Sequence, residues 1–175
     1  MRRPRFIAEQ ARHAKGPLGR LIAFIMARET WAENLKAIEA LKIRPADHVL
    51  DVGCGHGRSL TELAKRAPRG RVAGADPSEL MVETAVDRNR ALVRARILDV
   101  AIASADRLPF TDADFDKVLC VHVLYFWDDL DAGLREIARV MKPGGRLALI
   151  FRTSAHLAAV KAFPSDVYRF PELAD

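Results

Sequence analysis

Cysteine is scarce: two residues in 175, Cys54 and Cys120. They make no disulfide framework and point to a reducing, cytoplasmic setting. Aromatic residues reach only 7%. Long hydrophobic runs are missing too, since the longest candidate, Leu21-Ile22-Ala23-Phe24-Ile25-Met26, has six residues where a membrane span needs about 20. No secretory leader pattern is present, because the basic N-terminus is not followed by an apolar stretch and a small-residue cleavage site. With 10 glycines and 9 prolines, collagen-like and low-complexity architectures are excluded. What is there is half apolar and 29% charged, in a length that suits one domain with its own core.

The net charge of +5 belongs to one end. Residues 1–36 hold eight Lys/Arg against three Glu, and the rest of the chain is balanced. Such an arm can steer a protein to anionic partners or simply form a solvated face. Gly16-Pro17 splits the arm into two helical pieces. After the break, Leu18, Leu21, Ile22, Ile25 and Met26 follow helical spacing. That stripe is expected to pack on the body, to close as a lid, or to make at most peripheral membrane contact. A further helix is predicted from Trp31 to Leu41, so residues 1–45 read as an N-terminal helical arm and 46–175 as the body.

The body alternates short apolar runs with helices. Strands are predicted at Val49–Val52, Arg71–Ala75, Val100–Ala103, Phe115–Val121 and Leu147–Phe151. Helices are predicted after the first glycine loop, from Ser78 to about Val93, and from Asp129 to Met141. This pattern predicts an α/β three-layer sandwich with a mainly parallel sheet covered on both faces. Ligands of such sheets bind beyond the carboxyl ends of the strands, which gathers the loops after Val52, Ala75, Ala105 and Val121 around one crevice.

Three signals in those loops carry chemistry. Gly53-Cys54-Gly55-His56-Gly57 sets glycines at alternate positions between strand and helix, where the backbone can turn and approach a ligand. A dinucleotide loop needs a third glycine where Arg58 or Leu60 stands, and no phosphate-loop Gly-Lys-Ser/Thr follows. With Asp51 just ahead, the loop suits an ammonium or sulfonium better than a pyrophosphate. Asp76, 21 residues after Gly55, can accept both hydroxyls of a ribose. Asp106 can take the amino group of adenine while Leu108 or Phe110 covers the ring. Each has a structural reading as well: a tight turn, a turn before Pro77, a capped loop.

These segments, with Ala75-Asp76-Pro77-Ser78, Ala105–Phe110, Phe115-Asp116-Lys117-Val118 and Leu134–Arg146, stand in the order and spacing of a known family. Over residues 47–151 the chain resembles the S-adenosylmethionine-dependent methyltransferases of Rossmann-like fold, in the small-molecule branch that includes ubiquinone/menaquinone methyltransferases. The resemblance implies S-adenosyl-L-methionine as cofactor and S-adenosyl-L-homocysteine as product. It implies a cofactor set of Asp51, Gly53, Cys54, Gly55, Gly57, Asp76, Pro77, Asp106, Arg107 and Val121, and a small or lipophilic methyl acceptor. A non-catalytic S-adenosylmethionine-binding protein is the alternative.

His122, at the end of the fourth strand, is the candidate general base, with a structural histidine as its rival. Tyr125, Phe126 and Trp127 line an acceptor pocket or belong to the core. Cys54-x-His56 and Cys120-x-His122 could in principle hold zinc, but the first pair lies inside the cofactor loop, so no metal is expected. Nucleic acid is not an expected partner, and oligomeric state is left open. Family members carry a further helix and an antiparallel hairpin after the fifth strand. Here 24 residues follow Phe151, and the stretch through Glu172-Leu173 reads as the approach to that helix in a C-terminally truncated domain, the alternative being a fold naturally cut short with the fifth strand as a covered edge.

Overall fold

In a computed structural model, residues 3–172 are described; Arg2 of the basic arm and Leu173 of the C-terminal stretch lie outside them. The chain opens with α1 (Arg5–Arg12), α2 (Gly16–Glu29) and α3 (Trp31–Ala40). The body follows as β1 (His48–Val52), α4 (Arg58–Arg66), β2 (Arg71–Asp76), α5 (Glu79–Arg88), α6 (Arg90–Arg94) and β3 (Leu98–Ile102). Then come β4 (Phe115–Val121), a 3-10 turn (Leu124–Phe126), α7 (Leu130–Val140), β5 (Met141–Ile150) and α8 (Leu157–Ala162).

The five strands form one sheet in the order β3-β2-β1-β4-β5, every pair parallel. Period-two alternation sorts its side chains. Val49, Val72 and Leu119 face one way, into a core with Ile38 of α3, Leu41 just after it, Leu60 and Leu63 of α4 and Ala85 of α5. Leu50, Ala73 and Val118 face the other way, against Ile137 and Val140 of α7. Both faces are dry, which is why the strands read as unbroken apolar runs. The strand order turns at β1, with β2 on one side and β4 on the other. Such a switch point opens a crevice at the carboxyl ends.

Beyond shifts of a single residue, four places differ from expectation. The arm does form its two helical pieces, but the break falls at residues 13–15 and Gly16 and Pro17 begin α2; proline at a helix start gives up only an amide the first turn leaves unpaired. The helix expected from Ser78 to Val93 breaks at Asn89. Its buried amide donates to the Gly57 and Ala85 carbonyls, both at 2.9 Å, and accepts from the Thr61 hydroxyl at 2.6 Å. β3 begins two residues before the expected start, because Leu98 pairs with Val72 and is fully buried. β5 reaches back to Met141, opposite Phe115, with an irregularity before Lys117 meets Arg146. α3 packs on the sheet, so within the expected arm only α1 and α2 extend over the crevice.

Candidate active site

A cavity of about 420 Å³ lies at the switch point. Its floor is the end of β1 and the glycine loop (Val52, Gly53, Gly55), its sides are Asp76, Pro77, Asp106 and Val121, and its roof is α2 through Ala23 and Met26. A smaller pocket of about 120 Å³ adjoins it, sharing Gly53, Gly55 and Val121 and adding Asp51, Cys54 and Ser59. The four loops expected around one crevice therefore do meet there.

The glycine loop is held by its own amides. The N–H groups of Gly53 and Cys54 both donate to the Ala75 carbonyl, at 2.7 and 3.1 Å, and that of Gly57 donates to Cys54 at 3.0 Å. The Gly55 N–H donates to Asp76 Oδ2 at 2.9 Å, and the Ser78 N–H donates to Asp76 Oδ1 at 2.9 Å. Four loop amides are thus engaged internally, so they form no anion-binding nest. Asp76 is buried, and each of its oxygens keeps lone-pair capacity for one more donor. Burial pushes its pKa up, against the two backbone hydrogen bonds. A buried acceptor pair beside the cavity suits a vicinal diol.

Asp51 faces the smaller pocket. The Ser59 hydroxyl donates to it, yet burial, with Asp76 adding, raises its pKa to about 7. A cationic group placed there would hold it ionised. Close by, burial together with Arg88 and Arg58 lowers His56 to about 4, so that ring is neutral near pH 7. The larger cavity therefore offers acceptors for a diol, and the adjoining pocket an acceptor for a cation. That pairing, with four amides of the glycine loop already engaged, fits an adenosine carrying a charged amino-acid tail.

The remaining sequence-predicted residues divide. Asp106 lines the cavity and is exposed. Gly57 lines neither pocket; its missing Cβ makes room for Ala85 of α5, whose Cβ would stand 2.7 Å away. Arg107 likewise lies outside both linings. The expectation that Leu108 or Phe110 covers an adenine ring requires correction, since neither lines either pocket. Leu108 is buried in the core beside α7, and Phe110 packs edge-on against Phe115 at 5.1 Å between ring centroids. Arg139 of α7 holds that loop down through the carbonyls of Leu108 and Phe110. Phe126 and Trp127 do line the cavity, whereas Tyr125 is buried in an aromatic cluster with Tyr168 and Phe170. Cys54 and Cys120 are buried thiols, and burial pushes the pKa of both upward.

His122 sits at the cavity with left-handed backbone, φ +57°. Both ring nitrogens are engaged: Nε2 with Glu33 of α3, and Nδ1 with the Tyr125 hydroxyl at 3.0 Å. Arg152, just past β5, closes the ring, its guanidinium donating to Glu33 at 3.0 Å and its N–H to the Tyr125 oxygen. Burial lowers the His122 pKa, with Glu33 opposing.

Sequence reasoning missed the corner between α1 and α2. Arg12, His13 and Ala14 line the cavity, and the Ser78 hydroxyl donates to the Ala14 carbonyl at 2.8 Å. Ser78 was legible as the cap of α5, but nothing local marks it as a tie to a segment 64 residues away.

Residues 50–149 match the family described as a methyltransferase domain. The methyltransferase GfsG of Streptomyces halstedii is 37% identical over 123 residues, 70% of this chain and 43% of that protein. The demethylmenaquinone methyltransferase of Symbiobacterium thermophilum is 36% identical over 124 residues, 70% and 49%. The crystal structure of a SAM-dependent methyltransferase from Aquifex aeolicus superposes with a TM-score of 0.62 at 25% identity, covering 69% of this chain and 64% of that one. The chain thus spans about half the length of the two curated relatives.

Proposed function

The chain belongs to the S-adenosylmethionine-dependent methyltransferase family, and on that premise we propose that it moves a methyl group to a small or lipophilic acceptor. The observation that carries the reading is Asp76, buried at the crevice with both oxygens fixed by loop amides yet able to accept further. In this reading Asp76 takes the two ribose hydroxyls, Asp106 the adenine amino group, and Asp51 the ammonium of the methionine end. When bound, the cofactor supplies a methyl group on a sulfonium, already an excellent leaving group. The protein's part is then alignment of the acceptor and exclusion of water under the α2 roof. Apolar lining by Ala23, Met26, Val123 and Phe126 supports a lipophilic acceptor, as does the relative named for demethylmenaquinone.

The test is calorimetric binding of S-adenosylhomocysteine, with NADH as control, repeated across a pH series. S-adenosylhomocysteine binds and NADH does not; the reverse would reject the reading. The sign of the pH dependence follows from Asp51, whose pKa in the free protein is about 7 against an ordinary 3.8. Folding therefore costs progressively more as pH rises from about 4 to 7, because the folded state retains the proton. A cationic ligand favours the carboxylate, so affinity tightens by up to about tenfold per pH unit toward pH 7 and then levels. Asp51→Asn flattens this rise.

We assign His122 a positioning role in place of a general base, because both its nitrogens are engaged in tying α3 to the strand ends. His122→Ala lowers turnover by less than about 100-fold, below the usual span for a lost base, and keeps the shape of the pH–rate profile. A neutral-range ionisation present in the parent and missing in the variant would restore the base. The same engagement favours, as a second reading, a non-catalytic S-adenosylmethionine-binding protein. That reading predicts cofactor binding with no labelled product across quinol and phenol acceptors.

A further inference from the structure

We propose that the outer face of α2 docks on an anionic lipid surface. The apolar stripe of this helix is split by its packing. Ile22 is buried and Met26 turns to the cavity, while Leu18, Leu21, Phe24 and Ile25 are 49%, 56%, 47% and 46% exposed. At about 100° per residue the four exposed side chains fall on one side of a helix about 21 Å long. A contiguous apolar strip of this kind on a solvated helix marks a contact surface.

The charge beside the strip selects the occupant. Lys15, Arg20 and Arg28 are exposed, and among the described residues none of them makes an ion pair. The Arg28 guanidinium lies 5.9 Å from the centre of the Phe24 ring, so its charge caps the strip itself. The one acid of α2, Glu29, is neutralised by Arg3 at 2.8 Å. Apolar side chains with cations at the rim, on a helix too short to span, match the requirements of an interfacial helix. Its side chains enter the acyl boundary while its cations meet lipid phosphates. A second copy is the poorer fit: a two-fold contact through α2 would set Arg20 and Arg28 against the same residues of the other copy.

The consequence for the crevice is geometric. α2 carries the exposed strip on one side and roofs the cavity with Ala23 and Met26 on the other. A protein docked by α2 would hold its cavity roof against the lipid surface, where a lipophilic molecule could pass beneath it without crossing water.

The experiment is cosedimentation of the 175-residue chain with vesicles of phosphatidylcholine alone and of an equal mixture with phosphatidylglycerol. Partition into the mixed vesicles exceeds that into phosphatidylcholine by at least about tenfold and falls as salt rises. Leu21→Asp with Phe24→Asp lowers it by at least about tenfold, and Arg20→Gln with Arg28→Gln removes the preference for the anionic lipid. None of these four side chains lines either pocket, so S-adenosylhomocysteine affinity, unchanged in the variants, verifies that they fold. Equal partition into both vesicle types, or partition unaffected by the aspartates, overturns the proposal. A dimer in light scattering that the aspartates dissociate assigns the face to a second copy and overturns it as well. Vesicle binding is read without any turnover, so its failure leaves the methyltransferase reading untouched.

Discussion

Asp76→Ala loses S-adenosylhomocysteine binding by about 100-fold or more, the largest single effect expected in this protein. Two hydroxyl donors each lose a charged acceptor, and hydrogen bonds to charged groups are worth about 1.5–3 kcal/mol apiece. Two of them at the lower bound come to about 3 kcal/mol, or two decades of affinity. The side chain also fastens the glycine loop through Gly55 and the start of α5 through Ser78, both at 2.9 Å. Its removal strands two amides and loosens the loop that faces the ligand, which adds to the loss. Ser78→Ala separates the contributions. It keeps the backbone bond to Asp76 and removes the hydroxyl that both reaches the Ala14 carbonyl at 2.8 Å and caps the first turn of α5 at the Met81 N–H. Calorimetry on the two variants should show a collapse in the first and a loss of no more than about tenfold in the second. Equal affinities for Asp76→Ala and the parent would move the ribose elsewhere in the crevice.

Gly53→Ala unfolds the floor of the site. The residue holds φ +76°, and an added Cβ would stand 2.4 Å from Cγ1 of Val123, the loop after β4. Left-handed backbone costs an L-residue about 1–2 kcal/mol, and overpacking costs about 1–3 more. For a chain of this size the sum corresponds to a fall in Tm of roughly 4–20 °C. Pairing it with Val123→Ala relieves the clash and leaves the backbone strain, so the double variant recovers part of the loss. Gly55→Ala is the informative contrast. Nothing in the protein lies within 4 Å of its added Cβ, and its φ is +52°. The variant therefore loses only about 1–2 kcal/mol of stability, yet it places a methyl group on the loop surface shared by both pockets. Thermal melts and S-adenosylhomocysteine titrations of the two variants should diverge: a large Tm loss for Gly53→Ala, and a binding loss at nearly kept Tm for Gly55→Ala. Full ligand affinity in Gly55→Ala would show that the loop backbone is not approached closely.

The parallel sheet was legible because its strands are apolar on both faces. Runs such as Val49-Leu50 and Val118-Leu119 can only be buried from two sides, and the intervening helical spacing supplies the covers. That Gly53, Gly55, Asp51 and Asp76 gather at one crevice was legible for a related reason: they lie at strand ends, where the local chain alone dictates which backbone groups face outward. Leu108 and Phe110 were misread as site residues because their loop is anchored by Arg139 of α7, a contact about thirty positions away in the chain. The same separation hid the tie between Ser78 and Ala14 and the ring that joins Glu33, His122, Tyr125 and Arg152.

Composition and spacing by themselves determined the layers, the strand ends and the chemistry those ends can offer, since these follow from local backbone geometry and from which side chains must leave water. Only the tertiary structure decided which way α2 turns its stripe, what engages the nitrogens of His122, and what roofs the crevice. Those outcomes depend on competition among distant surfaces for the same burial. The helical spacing from Leu18 to Met26 records that the helix has an apolar face, but not which half of that face the rest of the chain covers.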